Sequence, residues 1–276
     1  MIRRGLFTAS LVAATVIALT FLLLPLLAIF LRVPPGELVS QLGNDVVVDA
    51  IRVTLKATLI SQALILLVGT PAAYLIASRA FRGRALVVTL IELPLVLPPA
   101  VAGIALLAAF GRLGLLGGTF EALGFSISFT QTAVVLAVTY VASPFYVRQA
   151  IAAFEALDQT LLDASRTLGA GPGRTFFQIA LPLAARGLAA GAALSFARGI
   201  GEFGATIMFA GSLQGLTQTL SLAIYAQFDL NFDVALALGG LLVLVSATVL
   251  FLAKLIPAWT RSTSTSLSPF ARIGSS

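Results

Sequence analysis

Long apolar runs separated by short polar segments dominate the pattern of this chain. Six of the runs are long enough, at about 20 residues or more, to cross the hydrocarbon core of a bilayer as helices. Strands of a membrane β-barrel would instead alternate apolar and polar residues over about ten positions. The predicted spans are Leu6–Leu31, Ile51–Ser78, Ala85–Phe110, Gln131–Ala153, Gly187–Ala210 and Phe232–Pro257. We therefore predict an all-α, polytopic integral membrane protein in which residues 1–260 form one transmembrane domain.

Both ends of the chain carry polar segments outside the predicted spans. Arg3 and Arg4 precede the first span, as basic residues precede the apolar run of a signal peptide. That run is about 26 residues long and exceeds the roughly 7–15 residues of a signal sequence. We predict an uncleaved helix there. The Ser/Thr-rich residues 261–276 are predicted to form a disordered tail.

The composition supports a membrane protein and excludes several kinds of site. Hydrophobic residues make up 59% of the chain, charged residues 10%, and the mean hydropathy is +1.04. A soluble domain carries about 25% charged residues. The chain has no cysteine and no histidine, so it lacks thiol nucleophiles and the commonest metal ligand and general base. We predict no catalytic residue, no metal site, no cofactor and no nucleic-acid partner.

Basic residues assign the predicted loops to the two sides of the membrane. Under a six-span count they fall mainly on one side, which the positive-inside rule makes cytoplasmic. Three exceptions, Arg32, Arg52 and Arg112, lie near span ends, where a long side chain can reach the interface. The residues assigned to the cytoplasmic side are Arg3, Arg4, Arg79, Arg82, Arg84, Arg148, Arg166, Arg174, Arg186, Lys254, Arg261 and Arg272. Both termini are therefore predicted to be cytoplasmic.

The longest predicted cytoplasmic loop, at about residues 155–186, contains a short helix. Residues 160–168 can form about two turns, with Asp158 or Thr160 capping the start. Gly169 suits the left-handed position that follows a helix, and Pro172 suits the first turn of the next one. Small side chains at Ala164 and Ser165 favour close approach by another protein. Such a helix could equally pack only on its own bundle.

Charged residues inside predicted spans are costly and mark either structural pairs or a transport path. Arg198 and Glu202 lie four residues apart in the fifth span and can pair, with Thr206 one further turn along. Glu92 precedes Pro94, Pro98 and Pro99, which interrupt the helical hydrogen bonds of the third span. We predict that Arg198, Glu202, Thr206 and Glu92 are candidates for a gate or translocation path. Pairing of Glu92 with Arg198 or another cation is a further hypothesis.

The loop resembles a known motif. Asp163-Ala164-Ser165 is followed after three residues by Gly169, and after nine more by Ile179-Ala180-Leu181-Pro182. This pattern resembles the EAA loop of ABC importer permeases, with Asp163 in place of Glu and Ser165 in place of Ala. The resemblance implies a cytoplasmic coupling helix that docks on an ATPase subunit. It implies ATPase-coupling roles for Asp163, Ala164, Ser165, Arg166 and Gly169.

Further segments resemble molybdate ABC transporter permeases, with sulfate and tungstate permeases as relatives. They are residues 69–74, 93–104, 168–170, 197–205 and 217–220. The resemblance implies a type I, MetI-like permease in the bacterial inner membrane, acting as a homodimer surrounded by lipid. It implies two kinds of partner, an ATP-binding cassette ATPase and an extracytoplasmic oxyanion-binding protein. Molybdate is the expected substrate, with tungstate or sulfate as alternatives.

A transporter or channel that works without ATP is the alternative of a different class. The chain has no phosphate-binding Gly-x-x-x-x-Gly-Lys-Ser/Thr loop, so any ATP hydrolysis must belong to a partner. No inverted repeat and no series of ionisable residues suited to a proton relay is visible in the sequence. These features favour the permease subunit of an ABC importer.

Overall fold

The computed structural model describes residues 2–33, 36, 40 and 43–262, and residues 263–276 of the predicted tail lie outside this part of the chain. The longer elements within it are helices. We number them α1 (Ile2–Arg32), α2 (Asp45–Ser78), α3 (Arg84–Val96), α4 (Pro99–Phe110), α5 (Gly117–Ala122), α6 (Gln131–Glu155), α7 (Gln159–Thr167), α8 (Pro172–Thr175), α9 (Leu181–Ile200), α10 (Gly204–Ala210), α11 (Leu220–Phe228) and α12 (Phe232–Ser262). A π-helical turn, Phe176–Ala180, joins α8 to α9.

Five continuous helical segments in the described part are long and apolar enough to cross a membrane. They are Phe7–Arg32, Asp45–Ser78, Gln131–Glu155, Pro172–Ile200 and Phe232–Leu252. A sixth span results if α3 and α4, which meet at an angle of 113°, are counted together. The predicted number of six therefore holds only with a sharply bent third span.

The predicted third span, Ala85–Phe110, is interrupted at its prolines as expected, because the chain turns at Leu97 and Pro98. A residue that precedes proline is driven from helical to extended backbone. Leu97 precedes Pro98, Pro98 precedes Pro99, and both adopt extended ψ angles of 135° and 134°. Two consecutive X-Pro bonds therefore end α3, and Pro99 begins α4 at the position where proline fits a helix start.

The predicted fifth span, Gly187–Ala210, is wrong at both ends. The helical segment begins earlier, at Pro172, and α9 ends at Ile200. Residues 201–203 separate it from α10, where the backbone N–H of Ala205 donates to the Glu202 carboxylate at 2.8 Å. Arg198 and Glu202 are thus on opposite sides of a helix end, and Thr206 belongs to a separate helix.

The core of the bundle is α6, which packs along α2 and α9 and also contacts α3, α4 and α10. Small residues allow the close approach, as at Gly69 of α2, where a Cβ would lie only 3.0 Å from the Tyr146 ring of α6. Beside it, the hydroxyl groups of Thr70 and Tyr146 share a 2.5 Å hydrogen bond. Ser61 of α2 donates to the Val135 carbonyl of α6 at 2.9 Å. The two long helices are therefore joined by polar contacts as well as by packing.

The contact between α4 and α10 leaves no room for a side chain at Gly103. A Cβ there would lie 2.6 Å from the Ala205 carbonyl oxygen and 2.7 Å from the Met208 Cβ. We predict that Gly103→Ala forces the helices apart and destabilises the protein by about 1–3 kcal/mol, as overpacking does. Thermal unfolding in detergent measures this. Gly239→Ala in α12 is the control, because nothing lies within 4 Å of its Cβ position. Equal Tm values for the two variants would contradict the prediction.

Candidate functional site

The predicted short helix of the cytoplasmic loop is α7, and its capping is as expected. The Asp158 carboxylate accepts hydrogen bonds from the Thr160 backbone N–H at 2.9 Å and from the Thr160 hydroxyl at 2.7 Å. These bonds lower the pKa of Asp158 below its usual range. Gly169 adopts the predicted left-handed backbone with φ of 83°, and Pro172 begins α8. The sequence prediction for this loop is accurate to within one residue at each end of the helix.

Ser165 does not lie on the free surface of α7, in contrast to the prediction. Its side chain is buried, and its hydroxyl donates to the Leu162 carbonyl at 2.7 Å and shares a 3.2 Å hydrogen bond with the Thr175 hydroxyl. Leu162 is also buried, so one face of α7 packs on the protein itself. Of the small pair that was expected on the surface, only Ala164 is exposed.

The free face of α7 combines apolar side chains with one ion pair. Leu168 is 87% exposed and Leu161 is 49% exposed. Arg166 and Asp163 pair with each other at 2.9 Å on the exposed side. The two charges of the pair cancel, so the exposed side of α7 is apolar with no net charge from this pair. Such a surface suits a contact with another protein.

Aromatic residues that the sequence analysis overlooked anchor this loop to the bundle. Tyr74 of α2 lies with its ring centroid 4.8 Å from Phe176 of the π-helical turn and 5.2 Å from Phe154 of α6. Thr175, fully buried beside Phe176, holds Ser165. The three rings are far apart in the sequence, so no local pattern predicts that they pack together. The nearest hint was Tyr74 itself, because it ends the Gly69–Tyr74 segment that resembles the permease family.

Arg198 and Glu202 form the predicted pair. The distance from the Arg198 Nη1 to the Glu202 Oε2 is 2.6 Å, and the Glu202 side chain is 1% exposed. Arg198 lies in the last turn of α9 and Glu202 precedes α10, so each charge faces the helix end that favours its sign. Because Glu202 also accepts from Ala205, the pair joins the two helices across the break.

The break after α9 packs against the break in the third span. A Cβ on Gly204 would lie 2.7 Å from the Pro99 Cβ and 3.1 Å from the Ala100 nitrogen. Thr206, two residues along α10, is fully buried, and its hydroxyl has no hydrogen-bond partner among the described residues. Gly204, which lies between Glu202 and Thr206 in the sequence, therefore packs on the proline break of the third span.

Glu92 is not part of this cluster. Its carboxylate pairs with Arg148 of α6 at 3.3 Å, and not with Arg198. The hypothesis named Arg198 or another cation as the partner, and Arg148 is that other cation. Within residues 2–33, 36, 40 and 43–262, no group of three or more Asp or Glu residues is arranged to hold a metal ion.

The family of the chain follows from comparison with known proteins. A family model described as "Binding-protein-dependent transport system inner membrane component" matches residues 65–261. The chain is 44% identical over 233 residues to a "Molybdenum transport system permease protein" of Mycobacterium bovis, covering 84% of this chain and 88% of that protein. It is 36% identical over 227 residues to a "Sulfate transport system permease protein" of Synechococcus elongatus, covering 80% and 78%.

A solved structure shows the same fold. A chain of a bacterial alginate ABC transporter, crystallised with an alginate pentasaccharide-bound periplasmic protein, superposes with a TM-score of 0.73. The match covers 91% of this chain and 93% of that chain at 18% identity. The architecture is therefore that of a MetI-like, type I ABC importer permease.

Replacing the capping residue of α7 provides a test of the loop geometry. If α7 docks on an ATPase subunit, as the resemblance of the loop implies, we predict that Asp158→Ala weakens that docking, because it removes the hydrogen bonds to Thr160 and loosens the first turn. Asp158→Asn is the matched control, since asparagine caps helices about as well as aspartate. Co-purification of the ATPase with each variant measures the effect. Equal recovery with both variants would show that the cap is dispensable.

The Asp158 cap also predicts a dependence on pH. A carboxylate whose pKa is lowered by folding stabilises the folded loop fully at pH values above its ordinary pKa of 3.8. The stabilisation is lost only as the pH falls through the lowered pKa of the folded loop. Binding of the ATPase should therefore not respond to the ionisation of Asp158 at neutral or mildly acidic pH. Between about pH 5 and pH 8, where proteins tend to be most stable, wild type and Asp158→Asn should show parallel profiles. If the pH profiles of ATPase binding diverged between wild type and Asp158→Asn in this range, the lowered pKa of Asp158 would be contradicted.

The Arg198–Glu202 pair can be tested by removing its members separately. Arg198→Ala leaves the buried Glu202 carboxylate without its cation, which costs about 3 kcal/mol, the lower end for a buried pair because Arg198 is 28% exposed. In the double variant Arg198→Ala/Glu202→Gln, the amide oxygen still accepts from Ala205 and no charge remains. We predict that the double variant is more stable than Arg198→Ala, measured as folded yield and Tm in detergent. If Arg198 instead serves the transported anion, Arg198→Ala folds normally but lowers uptake, and the second substitution restores nothing.

Proposed function

Because the chain belongs to the family of binding-protein-dependent transport system inner membrane components, and is the permease subunit of an ABC importer and not an enzyme, we propose that it carries molybdate across the membrane. The observation that carries the proposal is the 44% identity to a molybdenum permease over most of both chains. Sulfate and tungstate are tetrahedral oxyanions of similar shape. The 36% identity to a sulfate permease keeps them as the alternative substrates.

The proposed energy source is ATP hydrolysis on a separate ATPase subunit that binds α7. Support comes from the exposed apolar face of α7, formed by Leu161, Ala164 and Leu168. Asp163 and Arg166 form an ion pair elsewhere on the exposed side of α7. Gly169, with its left-handed backbone, redirects the chain after α7. In this proposal Ser165 acts from beneath, by fixing α7 to α8 through Thr175. The loop at residues 155–186 is thus the coupling element of a transmembrane domain at residues 1–260.

The remaining partners in the proposal are an extracytoplasmic oxyanion-binding protein and a second copy of this chain. Other permeases of this fold support the first, as in the alginate importer solved with its periplasmic protein. A homodimer would place two copies of α7 on two ATPase subunits. The gate is proposed at the contact of α4 with α10, where Arg198, Glu202 and Thr206 lie close to the two helix breaks.

Uptake by proteoliposomes provides the test of substrate and energy source. The permease is reconstituted with its ATPase inside the vesicles and with the binding protein outside, and labelled molybdate is counted. We predict uptake that requires ATP and the binding protein, with competition by tungstate stronger than by sulfate. Uptake without ATP would support the alternative of a secondary transporter or channel. Sulfate uptake that molybdate does not inhibit would contradict the proposed substrate.

Gly169 tests the role of the coupling loop. A valine at a φ of 83° is strained, so Gly169→Val should displace the end of α7 and abolish transport while the protein still inserts. Gly171→Val is the matched control, because Gly171 has an ordinary φ of −68° and nothing lies within 4 Å of its Cβ position. Uptake and ATPase binding are measured at equal expression. Normal uptake by Gly169→Val would contradict a coupling role.

The proposed orientation places both termini and α7 in the cytoplasm. Single cysteines can be introduced without background, because the chain has none. Leu168→Cys, on the exposed end of α7, should react with an impermeant thiol reagent only from the cytoplasmic side. Gln214→Cys, in the exposed loop before α11, should react only from outside. Ser165 is unsuitable because it is buried. Labelling of Leu168→Cys in intact cells would reverse the assignment.

A further inference from the structure

We propose that two ion pairs between α3 and α6 transmit movement of α7 to the bend in the third span. The pairs join Arg84 to Glu155 and Glu92 to Arg148. These four are positioning residues that act on the gate through α3 and need not contact the transported anion. The inference rests on the proposed function, because it assumes that movement of α7 drives transport.

Both partly buried apolar side chains and charged groups attach α3 to the rest of the protein; the apolar ones are Val87, Val88 and Ile91. None of its 13 residues is fully buried, although it lies within a predicted span. Its main neighbour among the described helices is α6. The charged groups therefore add two defined points of attachment to α6 beside this partly buried apolar face. By contrast, α4 is held tightly by α10 at Gly103 and Pro99.

The two ion pairs form a ladder between antiparallel helices. Arg84 begins α3 and pairs with Glu155, the last residue of α6. Glu92, eight positions along α3, pairs with Arg148, seven positions back along α6. Both spacings are close to two helical turns, so the pairs follow one face of each helix. Arg84 also donates from its Nε to the Ile76 carbonyl of α2 at 3.0 Å, so the outer pair joins the ends of three helices.

The ladder begins where α7 is attached. Only Ala156, Leu157 and Asp158 separate Glu155 from the start of α7. The N–H of Leu157 donates to the Phe154 carbonyl at 3.3 Å, and Asp158 caps α7, so the connection is short and hydrogen-bonded. A displacement of α7 must therefore move the end of α6 and, through the ladder, α3.

The bend at Leu97 and Pro98 is where this movement can be absorbed. Pro98 has no backbone N–H, so the helical hydrogen bonds cannot continue unbroken from α3 into α4. On one side of the bend α3 follows α6, and on the other side α4 follows α10. A change of the 113° angle between α3 and α4 would shift α10, with Glu202 and Thr206, relative to α6.

The first experiment reverses the charges of the inner pair in the complete transporter. Glu92→Arg and Arg148→Glu each place two like charges together, and the double variant restores opposite charges. We expect each single variant to bind the ATPase normally but to lower molybdate uptake per ATP hydrolysed by about three- to tenfold, toward the lower end of the roughly 2- to 150-fold effects of coupled neighbours. The double variant should recover at least half of the wild-type ratio. Singles that keep the wild-type ratio, or a double variant no better than the singles, would overturn the proposal.

The control reverses an ion pair of similar chemistry at a distance from α7. Arg112 pairs with Glu121 at 2.5 Å in the segment between α4 and α6. Arg112→Glu should leave the ratio of uptake to hydrolysis unchanged. Glu155→Gln provides a milder test of the outer pair if a charge reversal prevents folding. It should lower the same ratio in the same direction, and an unchanged ratio counts against the proposal.

A second readout is independent of the transported anion. Spin labels at Leu90→Cys and Gln159→Cys report the distance between α3 and α7, and labels at Leu90→Cys and Ile104→Cys report the bend. All three side chains are exposed, and none belongs to the proposed docking face. On ATP binding in the complex, the first distance should stay constant and the second should change. With Glu92→Arg added, the first distance should vary instead.

The two proposals fail in different ways. If wild-type vesicles take up no molybdate with the binding protein present, the proposed substrate is wrong, and the spin-label distances still decide the role of the ladder. If wild type transports molybdate but α3 does not follow α7, only the ladder proposal is wrong.

Discussion

A helix that breaks inside a membrane exposes backbone groups that lipid cannot satisfy, and this constraint governs the arrangement of the protein. The third span breaks at Pro98, and the helical segment that begins at Pro172 ends at Ile200. The two breaks lie against each other, with Gly204 packed on Pro99. The Glu202 carboxylate accepts from the first turn of α10 and pairs with Arg198. Each helix break is therefore packed against the other one, which keeps exposed backbone groups of both away from lipid.

This pairing explains why the glycines near the breaks are required where they are. Any side chain at Gly103 would separate α4 from α10, and one at Gly204 would separate α10 from the proline break. The charged pair has a related role. An isolated carboxylate at this position would be expensive to bury, whereas one that caps a helix and meets a guanidinium is neutralised locally. Packing and charge thus stabilise the same junction.

Structural features that depend on neighbouring residues were predicted from the sequence, and features that depend on tertiary contacts were not. Capping of α7 by Asp158, the left-handed Gly169 and the helix start at Pro172 depend on neighbouring residues, and all were predicted correctly. The number of spans was predicted from hydropathy, but the end of α9 was not, because apolar residues continue through residues 201–210. The tertiary contact with Pro99 and the Glu202 side chain end that helix, and hydropathy does not report either.

Partners across the bundle were beyond the reach of the sequence. Glu92 was assigned a cationic partner on general grounds, but several arginines were available, and Arg148 was identified only by the packing of α3 on α6. The cluster of Tyr74, Phe154 and Phe176 was missed for the same reason. Its rings belong to three elements that come together only in the folded protein.

The departures of the coupling loop from the family pattern have a structural explanation. Serine replaces alanine at position 165, on the buried face of α7, where a polar group needs partners. The Leu162 carbonyl and the Thr175 hydroxyl supply them, so Ser165 and Thr175 form a matched pair. Aspartate replaces glutamate at position 163, on the exposed face, where it pairs with Arg166 one turn along α7. The first change adds a hydrogen bond between α7 and α8, and the second keeps a carboxylate on the exposed surface. Both therefore preserve the separation of α7 into one face that holds the loop to the bundle and one exposed face, the one proposed for docking.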